Sequence, residues 1–268
     1  MTRPLRFGVV APLTTDPSAW LDRVRRIADS GYSTLLVPDV PQWQPAPEPM
    51  LATAAAHTGL RVGTWVYAVP LRPALMVAWQ AHSLSLLTDG RFELGIGAGR
   101  PGIEEEVERL GLPPVPPAER LARMRETVAV LRELDGPDRH TPVVMAVSGP
   151  KARALAAEVA DTITFALHEV PRTEVAGLAA EAGAARDDLE LALHVPVVGD
   201  TVAGFMAPPD TSPDALRAMD SLAVLPADPV AAAEEVQRRR EEIGFSYFVV
   251  GDAGADAFAS VVAELAGR

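Results

Sequence analysis

Cysteine is absent from the 268 residues, which excludes disulfides, thiolate nucleophiles and cysteine-ligated metals. Basic residues are in deficit: 24 Lys and Arg against 36 Asp and Glu leave a net charge of −12. Nucleic acid and anionic membrane both need clustered cations, so neither is an expected partner. No apolar run reaches the length that spans a bilayer. The apolar residues 7–13 are few and give way to Thr14, Thr15 and Asp16, unlike a signal peptide, and the expected setting is the cytoplasm. Five histidines are scattered along the chain and form no metal-ligand pattern, so no metal is expected. A G-x-S-x-G elbow, a nucleotide-hydrolase phosphate loop and a paired-carboxylate signature are missing too. Chemistry carried by an organic cofactor accounts for so few catalytic side chains.

What is present is a regular alternation. Hydrophobic residues make up 48% of the chain, enough for a substantial core in one domain over residues 1–268. Apolar segments at 5–11, 34–38, 60–68, 92–97, 142–147, 162–167, 189–198 and 245–250 read as strands. Between them, 18–30, 48–58, 73–87, 104–110, 117–134, 150–160, 229–243 and 255–266 read as helices, the fifth with an apolar stripe of Leu121, Met124, Val128 and Leu131. Eight strands separated by helices predict parallel pairing. The count favours an α/β fold of the single-domain (β/α)8 TIM-barrel type over an open doubly wound sheet, with the functional face at the carboxyl ends of the strands. Residues 199–229 lack a clear barrel element and are a candidate lid or substrate loop, or a poorly ordered insertion.

Four places at those ends carry candidate chemistry. Gly97, Gly99 and Gly102 spell G-x-G-x-x-G after a strand, but Glu104, Glu105 and Glu106 fill the next helical turn, where a pyrophosphate would have to sit. Ala146, Val147, Ser148, Gly149, Pro150 and Lys151 make a better anion site, with Pro150 at a first helical position and N–H groups pointing outward; Ser148 as a plain cap and Lys151 as a solvated charge is the alternative. Asp39 follows the second strand, where it accepts a hydrogen bond from a ring N–H, orients a substrate, or caps loop N–H groups. Among the histidines only His168, at the exit of the sixth strand, is placed for chemistry; His194 reads as mid-strand.

The segment T-D-G-R-F-E-L-G-I-G-A-G at residues 88–99, preceded by L-R-P-A-L-M-V-A-W-Q-A-H-S-L-S-L-L at 71–87, resembles the hallmark region of the bacterial-luciferase-like family of flavin- and F420-dependent oxidoreductases. L-L-V-P-D at 35–39, E-R-L-A-R-M-R-E-T-V-A-V-L-R at 119–132 and P-V-V-M-A-V-S-G-P-K-A-R-A-L-A-A-E-V-A-D at 142–161 extend the likeness. The resemblance implies a (β/α)8 barrel that binds F420, or alternatively FMN, at the carboxyl ends. The cofactor phosphate is then expected at Ala146, Val147, Ser148 and Gly149. The ring is expected on a bulged third strand, often with a non-prolyl cis peptide, at Trp65, Val66, Tyr67 and Ala68, with Ala98 and Gly99 as a wall beside it. Asp39 matches the family's acid after strand two. Homodimers are common among relatives.

The departures bear on mechanism. Val40 stands where F420-using relatives often have histidine, Arg100 where some have glutamate, and Trp79 where lysine is common; Arg-His-Pro is shortened to Arg72-Pro73, and the glycine pair of the phosphate loop is reduced to Ala146 and Val147. Arg100 is expected to stabilise charge on a reduced ring or clamp an anionic substrate, or else to pair with Glu104. Asp39 and Arg100 are thus the candidate catalytic residues. The expected reaction is hydride exchange between F420 and a small organic substrate. The alternatives are an FMN-dependent monooxygenase and a degenerate, non-catalytic member that binds a flavin or a partner.

Overall fold

A computed structural model describes residues 3–14, 16–167 and 169–268. Its strands β1 (Arg6–Val10), β2 (Thr34–Val37), β3 (Arg61–Thr64), β4 (Phe92–Gly97), β5 (Val143–Val147), β6 (Thr162–Phe165), β7 (Glu190–Val195) and β8 (Phe245–Gly251) pair in parallel. β8 lies between β7 and β1, and the pairs Val62↔Phe92 and Gly63↔Glu93 join β3 to β4, so the sheet closes on itself. This is the (β/α)8 barrel that the alternation predicts.

The helices are α1 (Pro17–Asp29), α2 (Pro47–His57), α3 (Ala74–Leu87), α4 (Ile103–Arg109), α5 (Pro117–Asp135), α6 (Pro150–Val159), α7 (Arg172–Ala185), α8 (Pro213–Ala218), α9 (Pro229–Ile243) and α10 (Asp252–Leu265). Several begin with proline after a cap: Asp16 accepts from the Ala19 N–H and Asp228 from the Ala231 N–H, and Pro17 and Pro229 follow where no N–H is needed. α7 does not stand out in the sequence. It lacks a bulky stripe, burying only Val175, Ala179 and Ala182, so its periodicity is faint. The segment 199–229 is partly regular: Val197–Val198 pairs antiparallel with Thr201–Val202 and parallel with Val224–Leu225, and α8 lies between.

Alternation sorts the strand residues into two layers. Leu94, Ile96, Met145, Val147, Ile163, Phe165, Leu191 and Leu193 join the main core between barrel and helices. The inward set begins at the amino end with a polar plug. Arg6 bonds Glu93 at 2.9 Å and Glu190 at 2.6 Å, Thr162 donates to Glu190, and the Tyr247 hydroxyl donates to Glu93. The Arg6 guanidinium lies 3.4 Å from the centroid of the Tyr247 ring. Burial works against both charges, but Arg6 holds the Glu190 carboxyl below its usual range, and the two acids raise Arg6. A cavity of about 630 Å³ opens at this end, among Arg3, Arg61, Asp188 and their neighbours. In a (β/α)8 barrel this is the end that serves stability.

Candidate active site

At the carboxyl ends the third strand breaks as expected. β3 stops at Thr64, the Trp65–Val66 peptide is cis, and Tyr67–Ala68 resumes pairing against Ile96 and Gly97. The Thr64 hydroxyl fastens the bulge by donating to the Gly95 carbonyl at 2.7 Å and accepting from the Gly95 N–H at 3.0 Å. A Cβ on Gly95 would lie 1.8 Å from the Thr64 carbonyl oxygen, and one on Gly97 would lie 2.9 Å from Val66 Cγ2. The glycines of the E-L-G-I-G stretch therefore make room for the neighbouring strand, with Val66 over them.

Asp39 is brought to the same bulge. Its carboxylate accepts from Arg72 Nε and Nη2 at 2.9 and 2.8 Å and from the Ala68 N–H at 3.2 Å. Arg72 reaches on to Glu48 and lies 4.3 Å over the Tyr67 ring. Burial opposes the Arg72 charge, and its bonds to Asp39 override that and raise it. Both Asp39 oxygens are thus already engaged, Oδ2 by the far end of the bulge and by Arg72, and Oδ1 by Arg72.

The remaining expected residues divide. Trp65 points across the barrel, where its indole Nε1 donates to His194 Nδ1. The side chains of Tyr67 and Val147 pack outward in the main core, leaving those residues only their backbone for a ligand. Ala98 is half-buried, and its carbonyl accepts from Arg120. Gly99 and Gly102 take φ of +97° and +77°, so their glycines serve the turn before α4. Arg100 pairs with Glu106 rather than with Glu104, which Arg120 holds. It stands at the rim, 5.9 Å from the Trp43 ring, which meets Phe205 edge-on.

At the β5 exit Ser148 is exposed, its carbonyl accepting from Arg153. Gly149 precedes α6 with an extended backbone, φ −85°, and a Cβ there would touch nothing within 4 Å. That glycine is required neither by conformation nor by packing. His168 lies outside the described residues.

Two groups were missed. Thr164 faces inward on β6, between Ala146 and Ala192, and Ala146 pairs with Gly97 in turn. Gly97, Ala146, Thr164 and Ala192 form one row of small inward residues across β4 to β7, starting beside the bulge, where Gly97 pairs with Ala68. The Thr164 hydroxyl is buried there with no hydrogen-bond partner among the described residues, one of several such side-chain atoms and the one on this row. A flat ring with carbonyl and N–H groups on its edge suits both features, so the residues present fit a flavin or deazaflavin. His194 also faces the mouth. Period-two alternation from Glu190 would have placed it there, had the strand been ended at Val195 before Pro196.

Residues 5–136 match the model of the luciferase-like monooxygenase family. A 4-hydroxyprotoasukamycin monooxygenase of Streptomyces nodosus subsp. asukaensis is 36% identical over 132 residues, 46% of this chain and 34% of that protein. An F420-dependent glucose-6-phosphate dehydrogenase of Beutenbergia cavernae is 34% identical over 162 residues, 49% and 47% of the two chains. The matches thus span about a third to a half of these relatives' length. The F420-dependent tetrahydromethanopterin reductase of Methanopyrus kandleri superposes with a TM-score of 0.76 over 98% of both chains at 15% identity, a likeness of fold. Residues 5–136 thus carry the signature of the luciferase-like monooxygenase family, within a barrel closed around a bulged third strand.

Proposed function

We propose that this barrel is an oxidoreductase that exchanges a hydride between F420 and a small organic substrate at the carboxyl ends of its strands. The observation that carries this reading is the row of small inward residues with the unpartnered Thr164 hydroxyl, starting beside the bulge at Val66. F420, when bound, supplies the hydride acceptor or donor. Val66 and the bulge backbone support one face of the ring, and Thr164 gives its edge a hydrogen bond. Ser148, Gly149 and the first turn of α6 hold the phosphate with Lys151 as the cation, and the backbones of Ala98 and Gly99 shape the rim.

Asp39 and Arg100 act in this reading as positioning residues, because Arg72 and Glu106 meet their charges inside the protein. Arg72, Arg100, Arg120 and Arg153 each hold an acidic or carbonyl partner, which favours an uncharged substrate. The relative named as a monooxygenase supports a second version, in which FMN and oxygen replace F420. The commitment of Asp39 supports a third, a ligand-binding member without turnover. We also propose a homodimer through α3, which has no Asp, Glu, Lys or Arg and exposes Leu75, Met76, Trp79, Leu86 and Leu87. A face without charge lets two chains of net −12 approach with little repulsion at the contact. Fluorescence titration with F420 and with FMN, followed by exposure of the reduced complex to oxygen, separates the readings. Oxygen-stable F420 binding supports the first, oxygen consumption with FMN the second, and FMN binding without oxygen consumption the third.

A further inference from the structure

A segment outside the barrel enters its mouth. After Thr201–Val202 the chain turns inward, and Ala203 and Met206 are buried in a cluster with Val10, Leu36, Ala192, Tyr247 and Val249 of the barrel interior, with Trp65 packed against them. The last residue of β8 makes this possible: a Cβ on Gly251 would lie 2.1 Å from Ala203 Cβ and 3.1 Å from Met206 Sδ.

His194 ties the segment down. An indole nitrogen only donates, so the 3.0 Å bond from Trp65 Nε1 requires an unprotonated Nδ1 on His194. The other ring nitrogen then carries the proton and donates to the Met206 carbonyl at 2.8 Å. The indole and imidazole planes lie 8° apart. One neutral tautomer thus joins the bulged wall of the barrel to the inserted segment, in which Phe205, next to Met206, meets Trp43 edge-on.

We propose that Met206 is the side chain that restricts the substrate to small molecules, and that His194 positions it together with Trp65. The inference rests on reading the carboxyl mouth as the reaction site. The pin lies on β7, β8 and the bulge, apart from the β5 exit, so releasing it opens the space beside Trp65 and leaves the phosphate end in place. Glutamine at 194 can keep one acceptor and one donor, whereas leucine keeps neither.

The test compares the full-length wild type with H194Q, H194L, M206A and G251A, each with and without W65F. Acrylamide, a small uncharged probe, is used to quench the Trp65 fluorescence obtained by difference. H194L, M206A and G251A are expected to raise the quenching constant about threefold, an increase that corresponds to about 0.6 kcal/mol in access, with H194Q at the wild-type value. Faster proteolysis within 199–212 is expected in H194L and G251A alone. Unchanged quenching in both M206A and G251A overturns the inference, as does an H194Q protein that behaves like H194L. G251A reports even where the His194 variants fail to fold, because it displaces the segment without touching the imidazole. Cofactor titration of the wild type is a separate readout: if neither F420 nor FMN binds, the proposed function falls while the quenching still decides whether the pin exists.

Discussion

Gly95→Ala places a methyl group against backbone rather than against a side chain that can swing away. The Cβ falls 1.8 Å from the Thr64 carbonyl oxygen and 3.0 Å from Val66 Cγ1, so either β4 or the bulge has to move. Overpacking of this kind costs about 1–3 kcal/mol. The movement also breaks the paired bonds between Thr64 Oγ1 and the Gly95 backbone, each worth about 1 kcal/mol. The combined loss is about 3–5 kcal/mol, which for a chain of this length lowers Tm by about 6–20 °C. Thermal and urea unfolding of the variant beside wild type measure it. A loss under 1 kcal/mol refutes the argument that the glycines of the E-L-G-I-G stretch are there for the bulge.

Other expectations follow from the same geometry. Gly149→Ala leaves stability within about 1 kcal/mol of wild type, because a Cβ there meets nothing, yet weakens cofactor binding at least fivefold by isothermal titration if the phosphate approaches that backbone. Glu190→Gln costs about 3 kcal/mol at pH 7, since it leaves the half-buried Arg6 with one acid instead of two. The Glu190 carboxyl is held below its ordinary value of 4.5, so its stabilisation is full above that pH and is lost as pH falls through the lowered folded value. Unfolding curves of wild type and Glu190→Gln should therefore converge in acid. Trp79→Glu puts a charge on the uncharged face of α3 and is expected to give a monomer by light scattering, with wild type at the mass of the proposed dimer.

The barrel was legible because its strands are short apolar runs between helices with proline and acid starts, signals that depend on local chemistry. The bulge was legible only through resemblance, since nothing local in T-W-V-Y announces a cis peptide. Long-range causes were hidden. Gly97 reads as part of a G-x-G-x-x-G pattern, but the reason that it and Gly95 are glycines lies on another strand. His194 was obscured by extending strand seven through Pro196, and Thr164 by its ordinary place in a strand. The pairing of Arg100 with Glu106 instead of Glu104 depends on Arg120, which comes from α5 to claim Glu104. Tyr67 and Val147 show the limit of carrying positions over by motif: alternation turns those two side chains to the outer core.

Titration of the purified protein with F420, followed by cofactor fluorescence, tests the central claim most directly. Saturable binding that Thr164→Val weakens at least fivefold without lowering Tm, in a reduced complex stable to oxygen, is the predicted result. Absence of saturation with F420 contradicts the claim, and binding unaffected by Thr164→Val contradicts the assignment of that hydroxyl to the ring.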